Sequence, residues 1–213
     1  MINILDKTNS IANHFLFEMR NKDIQNDRGK FRNNLKRLGI AMAYEISKSL
    51  DFDPEEVLTP LGKKQVNLLS ENPVVIGILR AALPFYEGFQ FLYDQCDGGF
   101  IGAYRKESGE ISVNLDYLAI PSIEGRTVIL VDPMLATGKS LMQSIEQIKI
   151  NGNPKHIHIA SVVAAPEGID YISQSLKSEH TIWVYSLDEN LDSNAYIVPG
   201  LGDAGDLSFG EKK

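Results

Sequence analysis

The strongest constraint on the fold is a rhythm in the second half of the chain. Three short apolar runs, TVILV (127–131), HIHIASVVA (156–164) and TIWVYSL (181–187), are separated by two segments of helical period. In SLMQSIEQIKI the residues Leu141, Ile145 and Ile148 fall on one face, and PEGIDYISQSL fills the next interval. Strands alternating with helices predict an α/β fold, with a mostly parallel central sheet flanked by helices. VVIGIL (74–79) and GFIGAY (99–104) supply two further strands. In such sheets ligands sit beyond the C-terminal ends of the strands, so the chemistry is expected there.

The first ~50 residues have a different texture and read as helix. Phe31, Leu35, Leu38, Met42 and Ile46 make an apolar stripe that stops before Asp53–Pro54. The chain is therefore expected to form one domain over 1–213, with a helical arm at 1–52 and an α/β core at 73–213. An arm with no strand of its own would pack on the sheet or meet a second subunit, which makes a homodimer or higher homo-oligomer the expected state.

A net charge of −7 speaks against nucleic acid as the main partner, since such binding normally shows a basic patch. No apolar run approaches the roughly 20 residues that span a bilayer. MINILDKTNS has neither a basic nor an apolar leader region. The single cysteine, Cys96, cannot form an internal disulfide and reads as a small core hydrophobe. A cytoplasmic protein without nucleic-acid or membrane partners is the expectation. The four histidines have no Cys or carboxylate at ligand spacing; His156 and His158 alternate along one strand and share a face, and Trp183 reads as sheet core.

The segment TVILVDPMLATGKS carries the clearest chemistry. A buried strand ends at Asp132, and Thr137-Gly138-Lys139-Ser140 opens an amphipathic helix. Unpaired N–H groups and the positive dipole end of such a helix suit a phosphate monoester. Gly138 permits close backbone approach, and the Asp132 carboxylate is placed to accept hydrogen bonds from sugar hydroxyls. Gly-Lys-Ser resembles the end of a Walker A loop, but Pro133 stands where that motif needs its first glycine. Gly200-Leu201-Gly202-Asp203-Ala204-Gly205 is formally G-x-G-x-x-G, yet it is followed by DLSFGEKK rather than by a βαβ unit, so it is not a dinucleotide fingerprint.

VILVDPMLATGKS resembles the phosphoribosyl-pyrophosphate loop of type I phosphoribosyltransferases, in the form seen in the uracil phosphoribosyltransferase family. ILRA (78–81) and AYR (103–105) resemble that family's two arginine motifs, and VAAPEG (163–168) resembles its later loop. YIVPGLGDAGDLSFG (196–210) resembles its C-terminal uracil-binding segment, and HFLFEMRNK…FRNNLKRLG…YE its helical arm. The resemblance covers nearly the whole chain. It implies a type I phosphoribosyltransferase-like fold with a C-terminal base-binding hood segment. It also implies transfer of a phosphoribosyl group from phosphoribosyl pyrophosphate (PRPP) to uracil, giving UMP and diphosphate, with Mg²⁺ carried by PRPP and no dedicated protein metal site.

Residue by residue, the resemblance implies that Arg80 and Arg105 contact the pyrophosphate, a role suited to the planar guanidinium fork. It implies that Asp132 holds the ribose hydroxyls and steadies an oxocarbenium-like transition state, which makes Asp132 and Arg105 the candidate catalytic residues. The loop Pro133, Met134, Leu135, Ala136, Thr137, Gly138, Lys139 and Ser140 would bind PRPP, joined by Asp203. Uracil would be read by Ile197, Gly202, Asp203 and Ala204, largely through backbone groups. Departures from the family pattern are Lys139 where a glycine is usual, Pro84 after the first strand, and the stretch KESGEISVNLDYLAIP. That stretch lacks the usual prolines and has Ala119 where a lysine is common. Pro84 predicts a reshaped loop. Two other readings stand beside this one: a phosphoribosyltransferase for another base, and a non-catalytic nucleotide-binding regulator with the same fold.

Overall fold

The computed structural model describes residues 1–105 and 113–211, with the side chains of 103–105 and 113–116 outside that description. In chain order the strands and helices are β1 (Ile2–Ile4), α1 (Ala12–Arg20), α2 (Arg28–Ser47), β2 (Phe52–Thr59), β3 (Gly62–Leu69), β4 (Val74–Leu79), α3 (Leu83–Leu92) and β5 (Asp97–Arg105). They continue as β6 (Val113–Ala119), β7 (Thr127–Val131), β8 (Met134–Leu135), α4 (Lys139–Ile148), β9 (His156–Ala164), α5 (Pro166–Ser175), β10 (His180–Leu187), β11 (Asn190–Leu191), β12 (Ile197–Val198) and α6 (Ala204–Phe209).

The main sheet runs β1-β10-β9-β7-β4-β5-β6, with β8 also on β9. Every pairing in it is parallel except β5 with β6. Alternation along the strands sorts the core into two layers. In β7, Ile129 and Val131 face the layer built on α1, α2 and α3, while Val128 and Leu130 face α4 and α5. The stripe Phe31, Leu35, Leu38, Met42 and Ile46 is essentially inaccessible, each side chain contributing about 1.5–3 kcal/mol of burial. Helix α2 starts where the Asp27 carboxylate accepts from the Lys30 N–H at 3.0 Å.

Three features depart from the sequence reading. The first residues are not all helix: Ile2, Asn3 and Ile4 form β1 beside Ile182, Trp183 and Val184 of β10, so the arm does carry a strand. β2 and β3 form an antiparallel hairpin closed at Thr59 and Gly62, most of it exposed, including Leu58 and Leu61. Pro84 does not disturb a loop. It sits in the first turn of α3, where its missing N–H costs no helix bond. The histidine and tryptophan readings hold: the rings of His156 and His158 lie 4.6 Å apart, and Trp183 is buried with its indole N–H donating to His158 Nδ1 at 3.0 Å. Cys96 is half-buried against the core, and burial raises its thiol pKa.

The connections fix where a ligand can bind. From β4 the chain moves through α3 to β5 on one side; from β7 it moves through α4 to β9 and through α5 to β10 on the other. The neighbours β4 and β7 are therefore the topological switch point, where loops leave in opposite directions and open a crevice.

Candidate active site

Three segments line a cleft of about 210 Å³ at that switch point. The first follows β4: Ile78, Leu79, Arg80 and Ala81 turn tightly, with the Ala82 N–H donating to Ile78 O at 3.3 Å. The second follows β7. The Asp132 N–H continues the ladder to Ala160 O at 3.1 Å, and the Asp132 carboxylate accepts from the Met134 N–H at 3.2 Å. This bond folds the chain back so that β8 pairs with β9, while Pro133 O accepts from the N–H groups of Val162 and Val163. Gly138 then takes a left-handed conformation at φ 74° and opens α4. Its carbonyl accepts from the Met142 N–H at 2.9 Å.

The loop is held by α5. A methyl group added at Gly168 would stand 2.2 Å from Ala136 O, and one added at Gly138 would stand 2.9 Å from Gly168 O. The segment VAAPEG thus contributes a surface against which the phosphate-type loop lies, with backbone touching backbone.

The third segment is C-terminal. β11 and β12 form a small antiparallel pair, and the Asp192 carboxylate accepts from the N–H groups of Asn194 and Tyr196 at 2.8 Å each. Positive φ at Gly200 (59°) and Gly202 (91°) bends the chain back toward the cleft. Asp203 then caps α6, its carboxylate accepting from the Asp206 N–H at 2.9 Å. Arg80 joins the first and third segments: its Nη2 donates to Asp206 Oδ1 at 2.7 Å and to Gly210 O at 2.6 Å.

Of the residues singled out in the sequence, Arg80, Asp132, Met134, Leu135, Ala136, Thr137, Gly138, Ser140, Ile197, Gly202, Asp203 and Ala204 all line this cleft. Pro133 and Lys139 do not: Pro133 is buried beside β9 and Lys139 is exposed. Arg105 ends β5, and its side chain lies outside the described residues. The structure adds Ala81, Ala195, Tyr196 and Gly205 to the lining. Ala81 sat inside the ILRA motif and Tyr196 and Gly205 inside the C-terminal motif, but Ala195 carries no chemical group that a sequence would flag.

A mostly parallel sheet with helices on both faces, and a strand-loop-helix turn opening a cleft at its switch point, is the type I phosphoribosyltransferase fold. The family model described as uracil phosphoribosyltransferase matches residues 7–211. A uracil phosphoribosyltransferase of Porphyromonas gingivalis is 44% identical over 210 residues, covering 98% of this chain and 97% of that protein. One from Pyrococcus furiosus is 41% identical over 199 residues, covering 92% and 84%. The solved structure of AQ2163 protein from Aquifex aeolicus superposes with a TM-score of 0.89 at 34% identity, covering 99% of this chain and 98% of that one. The chain belongs to the uracil phosphoribosyltransferase family.

Proposed function

We propose that this chain transfers the phosphoribosyl group of PRPP to uracil, releasing diphosphate and giving UMP. The observation that carries this reading is a single cleft joining the phosphate-type loop after β7 to the backbone-rich segment Ile197–Gly205. In this reading the backbone N–H groups and hydroxyls from Ala136 to Ser140 hold the 5-phosphate. Asp132, at the strand end, holds the ribose hydroxyls and stabilises positive charge developing at C1 as the diphosphate leaves. Arg80 and Arg105 grip the diphosphate; Arg80 would exchange its bond to Asp206 for a phosphate oxygen.

Among the described residues no cluster of three or more His, Cys, Asp or Glu is arranged to hold a metal. In this reading an Mg²⁺ ion would be bound mainly by PRPP oxygens, with the cleft carboxylates Asp132 and Asp203 nearby, and would neutralise charge on the leaving diphosphate. Uracil is read by backbone groups of Ile197 and Gly202 to Ala204. No helix among the described residues is long and apolar enough to cross a membrane, and we place the enzyme in the cytoplasm. The exposed hairpin, with Leu58 77% and Leu61 100% accessible, is our choice for a homodimer contact. The reaction is tested by incubating the purified chain with uracil, PRPP and Mg²⁺. UMP and diphosphate should form in equal amounts, and absence of both would overturn the reading.

A further inference from the structure

The base-reading segment is held at its centre by two residues outside the cleft lining. Arg20, the last residue of α1, forms a bidentate pair with Asp188, Nη1 to Oδ2 at 2.8 Å and Nη2 to Oδ1 at 2.6 Å. The same Nη1 donates to Gly200 O at 2.8 Å, and the same Oδ2 accepts from the Gly200 N–H at 2.8 Å. One ion pair therefore satisfies both backbone groups of one residue. The Asp188 side chain is only 3% exposed and that of Arg20 23%, so the pair is shielded from solvent. Asp188 is itself fixed by the Ser186 hydroxyl at 3.2 Å and by its own N–H donating to Ala164 O at 2.8 Å, at the end of β9.

Gly200 stands between Ile197 and Gly202–Ala204, the two stretches that supply the base-reading groups in the proposed function. Its turn is tight: a methyl group there would lie 2.1 Å from Ile197 O. A rotation of the Gly200 backbone would therefore shift Ile197 on one side and Gly202 on the other. We propose that Arg20 and Asp188 are positioning residues that set uracil affinity and base selectivity by clamping the Gly200 backbone from behind. Neither touches substrate. This inference rests on the uracil reading above, and it ties the N-terminal arm to the specificity of the site.

Arg20→Lys is the informative variant, because an ammonium is a point donor without the planar fork that serves Asp188 and Gly200 O together. KM for uracil should rise about 10- to 100-fold, the scale of one lost charge-assisted hydrogen bond, while KM for PRPP stays within about twofold. Preference for uracil over cytosine should fall with it. Asp188→Asn should act in the same direction. Hydrogen exchange supplies a readout independent of turnover: in both variants the Gly200 amide should exchange faster, with β4 and α2 as protected as in the parent. Equal rises in both KM values, an unchanged uracil KM, or an unchanged Gly200 exchange rate in the folded variants would overturn the proposal. If the parent chain makes no UMP, the functional reading fails by itself. The exchange experiment then still decides the clamp, for it if Gly200 loses protection and against it if protection stays.

Discussion

Substituting Gly168 by alanine tests whether the phosphate-type loop depends on the α5 surface behind it. The added methyl carbon would stand 2.2 Å from Ala136 O and 3.1 Å from Leu135 O, whereas ordinary contact begins at 3.4 Å. Relief needs a displacement of about 1.2 Å between α5 and the loop, because the obstructing atoms are backbone and cannot rotate away. Overpacking of this kind costs about 1–3 kcal/mol. In a chain of this length that lowers Tm by about 2–4 °C for each kcal/mol. The larger effect should be on chemistry: a misplacement of about 1 Å in a positioning element costs on the order of 10²-fold. Steady-state kinetics with PRPP varied should show kcat/KM for PRPP down about 10²-fold in Gly168→Ala, with KM for uracil changed much less. Parental kcat/KM for PRPP in the folded variant would refute the argument that this contact sets the loop.

Asp132→Asn should lower kcat by about 10²–10³-fold, the scale of one preorganised electrostatic group, with the fold intact; near-parental turnover would remove Asp132 from the chemistry. Arg105→Ala should raise KM for PRPP much more than KM for uracil, as initial-rate kinetics would show. Burial holds His158 at about 3 against an ordinary 6.5, and the indole of Trp183 requires its Nδ1 to stay an acceptor. The unfolded chain therefore takes up this proton near pH 6.5 and the folded chain not until about 3, so stability is lost as pH falls through that window. Urea unfolding of His158→Gln should show a pH slope shallower than the parent by up to about 1.4 kcal/mol per pH unit. The parent chain should sediment as a dimer, and replacing Leu58 and Leu61 with lysine should give a folded monomer; unchanged sedimentation in the variant would remove the hairpin from the contact.

Much of the fold was legible because its signals are local. The strands β4, β7 and β9 are apolar on both faces and bounded by turn residues, and they appear where the apolar runs stand. The α2 stripe is legible for a similar reason, since one face is buried along its whole length. The β2–β3 hairpin was not, because none of its residues is fully buried within the chain and no alternation marks an inner face. α3 was not foreseen: Pro84 was read as reshaping a loop, although it suits a first turn, and Gly88 lets α3 approach α2, its Cα 3.0 Å from where a Gly39 methyl would stand. The site was legible where a motif is contiguous, as from Asp132 to Ser140. The Arg20–Asp188 pair was invisible, since the two residues are separated by 168 positions and each alone resembles a surface charge. Lys139 was grouped with the phosphate loop by sequence, but helix geometry turns its side chain outward to solvent.

Base competition tests the central claim most directly. Uracil presents an O4 acceptor and an N3–H donor, whereas cytosine presents an amino donor and a bare N3 at the same edge. A backbone reader would leave two buried groups unpaired with cytosine, at about 1–3 kcal/mol each. That corresponds to discrimination on the order of 10²–10⁴ in kcat/KM. The measurement is kcat/KM for uracil, cytosine, hypoxanthine and orotate with PRPP and Mg²⁺ on the parent chain. The account predicts UMP as the dominant product, with uracil ahead of cytosine by that margin. Comparable use of cytosine, or faster turnover of a purine or orotate, would contradict it.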